Sequence, residues 1–423
     1  MSATPSSEVE PESEAEEVPA PLLTLRDGLP PVIDTPEALA EATAALAAGT
    51  GPVAIDAERA SGYRYSARAY LIQLRRVGSG THLIDPIPFG ELTELNAALG
   101  DAEWILHAAT QDLVCLRDAG LRPQRLFDTE HAARLLGYPR VGLATLVESI
   151  LGFAMRKEHS AADWSQRPLP ESWLEYAALD VEVLVELREH LAAELEETGK
   201  AEWARQEFEN LMRFEPTVRA EPWRRTSGIH RLRKPRILAA VREMWMTRDD
   251  IARTEDVTPG RILPDSAIVA AAQAMPRSRG ALLATQGFQG RGARRFGERW
   301  VEALDIARAL PDDALPAVTQ RSDGPPQPRS WADRDPEAAA RLTAAKASFA
   351  ELSEKTSVPL ENLLTPDTMR RVLWQPPEVA SDDLPAAVAQ ALRDLGARAW
   401  QIELTAPLLV AAILAPAEAA DVE

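Results

Sequence analysis

One pair of apolar runs limits the fold of this chain more than any other segment. The stretch YLIQLRRVGSGTHLID consists of two alternating runs separated by Gly78, Ser79 and Gly80. Glycines at such a junction permit the tight turn of a β-hairpin, and a hairpin joins antiparallel strands. A sheet that also contains strands connected through helices is therefore mixed, because helical connections place strands parallel.

Strand and helix patterns alternate on both sides of that hairpin. Apolar strand patterns occur at VAID, YLIQLRRV, THLIDP and WILHA, with a further candidate at RLFDT. Helical patterns occur at residues 90–99, 110–119, 129–136, 143–152 and 171–196. We therefore expect an α/β domain built on a mixed β-sheet.

Acidic side chains follow apolar sequence at three places. Asp56 and Glu58 lie in VAIDAERA at the end of a predicted buried strand, and side chains two apart on a strand point the same way. Tyr176 and Asp180 lie one turn apart in the helix that contains EYAALD. Asp112 falls in the first turn of a helix that follows the WILHA strand.

Each of these positions has an ordinary structural explanation when it is taken alone. An Asp-x-Glu pair at a strand end is commonly a solvated turn, and an acid in the first turn of a helix suits the positive helix end. The combination favours a shared site, because four carboxylates in apolar surroundings are unfavourable unless cations compensate them. The prediction is a site for divalent metal ions that cleaves phosphodiester bonds.

The three acidic segments resemble the three exonuclease motifs of the DEDD 3′-to-5′ exonucleases, in the subgroup whose third motif is Tyr-x-x-x-Asp. The closer resemblance is to ribonuclease D, because KEHSAADWSQRPLPESWLEYAALD is similar to the stretch around that group's last motif, with Asp163, Trp164 and the tripeptide at 167–169 in place. The resemblance covers residues 27–215 and continues beyond them. It implies an RNase H-like mixed β-sheet domain with exonuclease activity.

That resemblance also implies a cofactor and roles for the five residues. The cofactor is a pair of divalent ions, Mg²⁺ or Mn²⁺, held by carboxylate oxygens. Asp56, Glu58 and Asp180 would hold one ion, while Asp56 bridges to a second ion that Asp112 supports through water. Tyr176 would orient the attacking water, since a tyrosine with its ordinary pKa of about 10 is a poor base at neutral pH.

Four residues near the motifs are predicted to contact the substrate, each with a structural alternative. His107 occupies the place where the family has histidine, and it either meets the terminal nucleotide or completes a strand end. Trp164 either stacks on a base or packs its loop, and Arg167 either braces that loop or meets the substrate. Gln111 either caps its helix or touches the substrate.

Charge is unevenly distributed along the 423 residues, whose formal net charge is −19. Residues 1–20 hold six glutamates and no Lys or Arg, which predicts a disordered acidic tail over residues 1–26. Residues 221–300 hold 16 Lys or Arg against 8 acids. Despite the acidic total, this basic region is the expected phosphate-contact surface of a nucleic-acid enzyme.

The basic region predicts a helical domain of its own over residues 216–312. Helical patterns occur at KPRILAAVREMWMTRDDIARTEDV, SAIVAAAQAM, RGALLAT and ARRFGERWVEALDIARAL. This order of helices resembles an HRDC domain, a nucleic-acid-binding module. Arg291, Arg295 and Arg299 recur every four residues on the predicted last helix, so we expect them to form a basic stripe that contacts phosphates.

A linker and a second helical unit follow. Residues 313–336 are rich in Pro, Ser and Asp, and residues 337–415 loosely repeat the helix order of the HRDC plan before a tail at 416–423. The expected fold class is therefore α/β plus all-α: an RNase H-like mixed-sheet domain followed by two HRDC-type helical domains.

Composition indicates the setting of the protein. The single cysteine, Cys115, lies between apolar neighbours, which excludes an internal disulfide and favours a reduced, cytoplasmic environment. The N-terminal segment has no basic residue and no apolar core, unlike a signal peptide, and no apolar stretch is long enough to span a membrane. We infer no obligate protein partner.

Three functions are compatible with these features. The first is a metal-dependent 3′-to-5′ exoribonuclease that acts on RNA with a free 3′ end, tRNA precursors among them. The second is a 3′-to-5′ DNA exonuclease, since nothing in the motifs visibly reads a 2′-hydroxyl. The third, a catalytically silent RNA-binding scaffold, is disfavoured because all four acids and the tyrosine are present.

Overall fold

A six-stranded sheet underlies the first half of the chain in the computed structural model, which describes residues 19–156, 159, 161–319 and 324–415. The strands are β1 (Val32–Ile33), β2 (Thr50–Arg59), β3 (Ala69–Val77), β4 (Gly80–Ile84), β5 (Glu103–Leu106) and β6 (Arg125–Asp128). Their order across the sheet is β1-β4-β3-β2-β5-β6. The pairs β2–β3 and β3–β4 are antiparallel and the other neighbours are parallel, so the predicted mixed sheet is confirmed.

The turn between β3 and β4 depends on its glycines. Gly78 and Gly80 adopt φ angles of +84° and +78°, in the left-handed region that glycine enters without strain. All five predicted strands are present. The short β1 was not predicted, because two residues are too few to show an alternating pattern.

Eight helices surround the sheet: α1 (Pro36–Ala48), α2 (Thr93–Leu99), α3 (Leu113–Asp118), α4 (Thr129–Leu136), α5 (Leu143–Leu146), α6 (Glu171–Glu182), α7 (Leu184–Glu197) and α8 (Ala201–Met212). Two predicted helices are interrupted. The helix expected over 171–196 breaks at Val183, which leaves the helical conformation at φ −120° and ψ 7°. The one expected over 143–152 is α5 followed by a π-helical turn at Val147–Leu151.

The first helical domain has a hydrophobic core separate from that of the sheet. Its helices are α9 (Pro235–Glu255), α10 (Pro259–Ile262), α11 (Asp265–Ala274), α12 (Arg279–Leu283), α13 (Arg291–Arg295) and α14 (Gly297–Ala309). Phe296 leaves the helical conformation between α13 and α14, so the predicted last helix is two helices. The expected stripe is corrected accordingly, since Arg291 and Arg295 lie on α13 while Arg299 lies on α14.

The second helical domain packs directly on the α/β domain and shares its hydrophobic core. Its helices are α15 (Trp331–Arg334), α16 (Pro336–Thr356), α17 (Leu360–Leu363), α18 (Pro366–Trp374), α19 (Leu384–Asp394) and α20 (Ala399–Leu414). The predicted linker contributes to both helical cores: Leu315 packs on the first domain, and buried Trp331 contacts Trp374 in the second. The linker is therefore shorter than 313–336.

The N-terminal segment joins the α/β domain earlier than predicted. The Leu23 amide donates to the Ala154 carbonyl at 2.9 Å, Leu23 is buried, and the Arg26 amide donates to Glu182. Residues 19–26 therefore belong to the folded domain, while 1–18 and 416–423 lie outside the described residues. Within the described ranges, no helix combines the length and apolar character that crossing a membrane requires.

The loop after β2 is held by the first helical domain. Tyr65 donates its hydroxyl to Asp249 at 3.0 Å, and the Ser66 amide donates to Asp256 at 3.0 Å. The Thr258 amide donates to the Tyr63 carbonyl at 3.0 Å. These three bonds form what we call the β2 latch, which ties the end of the central strand to α9 and the turn that follows it.

Candidate active site

Three carboxylates meet where α6 crosses the sheet. Asp56 and Glu58 lie two apart on β2 and Asp180 lies on α6, and one oxygen from each lies within 4.8 Å of the other two. The local sequence explains the close approach. Ala177 and Ala178 of α6 are fully buried against the sheet, and such small side chains let the helix backbone lie near the strands.

Asp112 occupies a neighbouring position rather than joining the three. It is buried and precedes the first residue of α3, so it is the N-cap rather than a first-turn residue. Its Oδ1 lies 3.5 Å from Nη2 of Arg59. Within the described ranges, only the group Asp56, Glu58 and Asp180 meets the geometry of a metal-binding cluster.

The four acids lie in surroundings that disfavour their charge. Burial, followed by the charges of neighbouring carboxylates, raises the pKa of Glu58 to about 10. Burial is also the largest cause that raises the pKa values of Asp56, Asp112 and Asp180. Arg59 lowers the pKa of Asp56 and Asp112 but does not outweigh burial. Ionising these groups together therefore requires further positive charge.

The donor set fits divalent cations that prefer oxygen. Asp56, Glu58 and Asp180 present hard carboxylate ligands at mutual distances that one ion can bridge, and the cavity offers room for water and phosphate oxygens beside them. No cysteine faces this group, because Cys115 donates its thiol to the Asp112 carbonyl inside α3. The site suits Mg²⁺ or Mn²⁺ better than a thiophilic metal.

The acids line one cavity of about 250 Å³ together with other predicted residues. Its lining includes Asp56, Glu58, Arg59, His107, Gln111, Asp112, Leu143, Tyr176, Asp180 and Leu184. The structure thus brings His107 and Gln111 into the same cavity as the acids, and their contact with substrate stays a prediction. A second cavity of about 300 Å³ shares Glu58 and Arg59 and extends to Ala161 and Ala162.

Tyr176 and His107, which line the cavity beside the acids, remain in their neutral forms at neutral pH. Burial, followed by the charge of Asp180, raises the pKa of Tyr176, so its hydroxyl keeps its proton. Burial lowers the pKa of His107, and its Nδ1 lies 2.9 Å from the Thr129 hydroxyl. Both side chains can therefore orient a water or phosphate oxygen without adding charge.

Trp164 and Arg167 are structural rather than exposed to the cavity. Trp164 is fully buried and packs on Trp173 with ring centroids 5.4 Å apart, which corrects the base-stacking alternative. Arg167 donates to both carboxylate oxygens of Asp85 and to the Tyr70 carbonyl at 2.8 Å. Its guanidinium braces the loop against the sheet, as the structural alternative has it, and a substrate contact by Arg167 stays a prediction.

The basic stripe on the first helical domain is largely neutralised. Arg295 forms a bidentate pair with Glu255, and Arg299 pairs with Asp250 at 2.7 Å. Both arginines are offset by an acid on the same surface. The prediction that they form a concentrated positive stripe is therefore corrected.

Arg59, Leu143 and Leu184 line the cavity but were not predicted from the sequence. Arg59 is the cation beside the acids, and Leu143 and Leu184 supply apolar wall. The sequence does point to Arg59, because this residue directly follows the Asp-x-Glu pair. No sequence pattern points to Leu143 and Leu184, because they begin separate helices that only the tertiary fold brings to the site.

Three family models match the chain. A 3′-5′ exonuclease model matches residues 30–196, an HRDC domain model matches 237–304, and a 3′ to 5′ exonuclease C-terminal domain model matches 324–413. Ribonuclease D of Gluconacetobacter diazotrophicus is 33% identical over 281 residues, which cover 64% of this chain and 71% of that protein. The sequence likeness therefore extends beyond the exonuclease domain.

Solved structures are similar over a larger share of the chain. A crystal structure of a protein from Bifidobacterium adolescentis matches with a TM-score of 0.85 and 37% identity, over 93% of this chain and 99% of that one. The Escherichia coli RNase D structure, described as that of an exoribonuclease involved in structured RNA processing, matches with a TM-score of 0.64 and 29% identity, over 86% and 98%. The predicted α/β plus all-α fold class is confirmed.

Proposed function

The chain belongs to the ribonuclease D family and is a 3′-to-5′ exoribonuclease, and we propose that it uses two divalent ions, Mg²⁺ or Mn²⁺, to trim the 3′ ends of structured RNA such as tRNA precursors. The observation that carries the proposal is the group formed by Asp56, Glu58 and Asp180, whose oxygens lie within 4.8 Å of one another. The products would be nucleoside 5′-monophosphates.

Each residue of the cavity has a proposed task. Asp56, Glu58 and Asp180 would hold one ion, with Asp56 shared by a second ion and Asp112 supporting that ion through water. Bound ions would lower the pKa of the attacking water and stabilise the leaving oxygen. Tyr176 would hold the attacking water in line through its hydroxyl, whose raised pKa keeps it protonated.

Arg59 would set the balance between the acids and the ions. Its guanidinium lies beside Asp112 at 3.5 Å and lowers the pKa of Asp56 and Asp112, so it partly offsets the repulsion among the acids. One positive charge does not balance four carboxylates. The remaining negative charge is what attracts divalent ions to the cavity.

The RNA body would contact a different set of cations from the predicted stripe. We define the cationic segment as Arg219, Arg225, Arg231, Arg233 and Lys234, which are exposed and form no ion pair with acids in the described part of the chain. The segment is anchored to the first helical core by buried Trp223 and Leu232. It links the nuclease to the helical domain, where it can follow a phosphate backbone away from the cavity.

A reduced, cytoplasmic environment is part of the proposal. Burial raises the pKa of the Cys115 thiol to about 12, and the side chain is enclosed in the α/β core, so it serves as a small apolar residue. This supports the proposal of a reduced, cytoplasmic environment. We also propose that the nuclease acts without an obligate protein partner.

A gel assay tests the proposed function. The full-length protein is incubated with RNA and DNA oligonucleotides of matched sequence, with Mg²⁺, with Mn²⁺ and with EDTA, and the products are resolved by length. We expect a ladder of shortened RNA that EDTA abolishes and that Asp56→Ala lacks. RNA labelled at its 5′ end distinguishes the direction, because 3′-to-5′ trimming leaves a labelled ladder. Products that persist in EDTA would refute the metal dependence.

One observation favours the alternative function, that of a 3′-to-5′ DNA exonuclease. The cavity presents carboxylates, His107, Gln111 and Tyr176, and the ions contact phosphate rather than sugar. A preference for RNA must therefore arise from contacts outside the ion site. Precursor tRNA with an extended 3′ end tests the proposed substrate class, with mature tRNA as the length standard. We expect the precursor to be shortened and trimming to stop near the stem.

A further inference from the structure

A glutamine interrupts the apolar centre of β3. Gln73 lies between Ile72 and Leu74, and its side chain is fully buried. Neither its amide nitrogen nor its amide oxygen has a hydrogen-bond partner. Buried amides are nearly always paired, so an unpaired one on a central strand requires an explanation.

Another buried glutamine shows the usual arrangement. Gln401 on α20 is 1% exposed, and its amide nitrogen donates to the Asn362 carbonyl at 2.7 Å. Its amide oxygen accepts from the Arg398 backbone at 3.0 Å. Gln401 therefore satisfies both ends of its side chain, whereas Gln73 satisfies neither.

The sheet register places Gln73 beside the acids. Gln73 lies directly opposite Asp56 in the antiparallel β2–β3 pair, and opposite residues project from the same face of a sheet. Leu71, two residues earlier on that face, packs in one cluster with Ala177 and Ala178 of α6. The unpaired amide thus lies on the face that α6 covers, next to the carboxylate that both ions would share.

The other charged neighbour on this face of β3 is already engaged. Arg75 follows Gln73 by two residues, donates to the Thr81 hydroxyl at 2.8 Å, and pairs with Glu182 at 3.2 Å. Leu83, opposite Gln73 on the other neighbouring strand, is apolar. Asp56 is the carboxylate that the register places directly opposite the Gln73 amide.

We propose that Gln73 is a positioning residue for Asp56: its amide N–H donates to the Asp56 carboxylate, directly or through one water, when that carboxylate holds the ions. The inference rests on the ion site of the proposed function. A carboxylate that binds metal keeps lone pairs facing away from it, and a fixed donor on that side orients the ligand oxygens. In this arrangement the amide gains its partner when the ions bind.

Replacing Gln73 by methionine tests the proposal, because methionine has similar length and no donor. The full-length variant is titrated with Mn²⁺ by calorimetry and melted in EDTA. We expect Mn²⁺ affinity to fall about 10-fold or more, in the range seen when outer-shell partners of ligands are removed. The melting temperature in EDTA should equal or exceed that of the wild type, since an unpaired buried amide is removed.

Gln401→Met is the matched control. It removes a satisfied buried amide far from the acids, so its melting temperature in EDTA should fall while its Mn²⁺ affinity stays unchanged. Unchanged Mn²⁺ affinity in Gln73→Met would overturn the proposal and leave Gln73 as a packing residue. Gln73→Leu also removes the donor and keeps an apolar side chain, and it provides the same test if the methionine variant does not fold.

Failure of the ion site itself gives a different result. A wild type that binds no Mn²⁺, like Asp56→Ala, would instead refute the ion site of the proposed function. The two failures are therefore distinguishable.

Discussion

Trp400, near the start of α20, stacks on Trp203 of α8 with ring centroids 5.0 Å apart and ring planes 15° apart. Beside this pair, the buried carboxylate of Glu207 accepts hydrogen bonds from Trp400 Nε1 at 2.8 Å and from Arg398 Nε at 2.7 Å. One aromatic pair and one carboxylate thus fasten the second helical domain to the nuclease.

Glu207→Gln should weaken that attachment. The change leaves the Arg398 guanidinium without its charged partner at a largely buried position, and breaking such a pair costs about 3 kcal/mol. Urea unfolding followed by circular dichroism measures the loss. Glu209→Gln, two residues further along α8 at an exposed ion pair with Arg205, is the control and should change stability by less than about 1 kcal/mol. Equal losses in both variants would contradict the role given to Glu207.

The contribution of Glu207 should also depend on pH. Burial acts to raise its pKa, but hydrogen bonds and charges from His131 and Arg398 outweigh burial, so its pKa is lowered from 4.5. A carboxyl group with a lowered pKa in the folded state stabilises above its unfolded pKa and loses that contribution as pH falls through the folded value. The stability gap between wild type and Glu207→Gln should therefore be constant above about pH 5.5 and close at more acidic pH. A gap that widens in acid would refute this assignment.

Glu58→Gln should stabilise the protein in EDTA and remove its response to ions. Burial and neighbouring acids raise the pKa of Glu58 from 4.5 to about 10, so without ions the folded state binds a proton that the unfolded state releases. Stability in EDTA should therefore fall as pH rises through that window, less steeply in the variant. Differential scanning fluorimetry with EDTA or Mn²⁺ measures both effects, and Glu94→Gln on α2 is the exposed control. Undiminished stabilisation of Glu58→Gln by Mn²⁺ would exclude Glu58 as a ligand.

Tyr176→Phe should lower kcat by about 100-fold while Mn²⁺ and RNA affinities stay unchanged. The hydroxyl is proposed to orient the attacking water, and phenylalanine keeps the ring without it. Single-turnover cleavage at saturating enzyme measures the chemical step. Tyr138→Phe is the matched control, because that hydroxyl donates to Glu194 outside the cavity. Wild-type turnover in Tyr176→Phe would refute the proposed role of this hydroxyl.

Alanine at Arg225, Arg231 and Arg233 should weaken RNA binding and flatten its salt dependence. Each arginine that contacts a phosphate displaces counterions from the RNA. Without three such contacts, the slope of log K against log salt should fall in magnitude by about 2 for a single-stranded backbone. The variant with alanine at Arg291, Arg295 and Arg299 removes the same charge, but Glu255 and Asp250 already offset two of its arginines. Its slope should change by less than about 1. The reverse order of the two variants would restore the stripe predicted from sequence.

Two truncations test where the folded domain begins. Removing residues 1–18 should leave the melting temperature unchanged, as expected for the acidic segment predicted from composition. Removing residues 1–26 should lower it, because buried Leu23 and the Arg26 contacts with Glu182 are lost. Thermal melts of both proteins make the comparison. Equal melting temperatures would mean that residues 19–26 contribute nothing to stability.

Local features of this fold could be predicted from the sequence, and features that depend on packing could not. The hairpin at Gly78 and the acids on β2 each follow from the pattern of one short continuous stretch of sequence. The break at Val183 does not, because both flanking segments carry continuous helical periodicity. The burial of Trp164 and the pairing of Arg295 with Glu255, 40 residues away, depend on how helices pack, which no local pattern encodes.

Because of the β2 latch, the nuclease and the first helical domain must be exchanged together in a chimera. Tyr63, Tyr65 and Ser66 lie in the loop after the strand that carries Asp56 and Glu58, yet their partners belong to the next domain. A chimera that joins this nuclease to a helical domain from a relative would lose these bonds unless it also keeps residues 249–258 of this chain. Recombination points for such hybrids therefore lie beyond the helical domain rather than at its boundary with the nuclease.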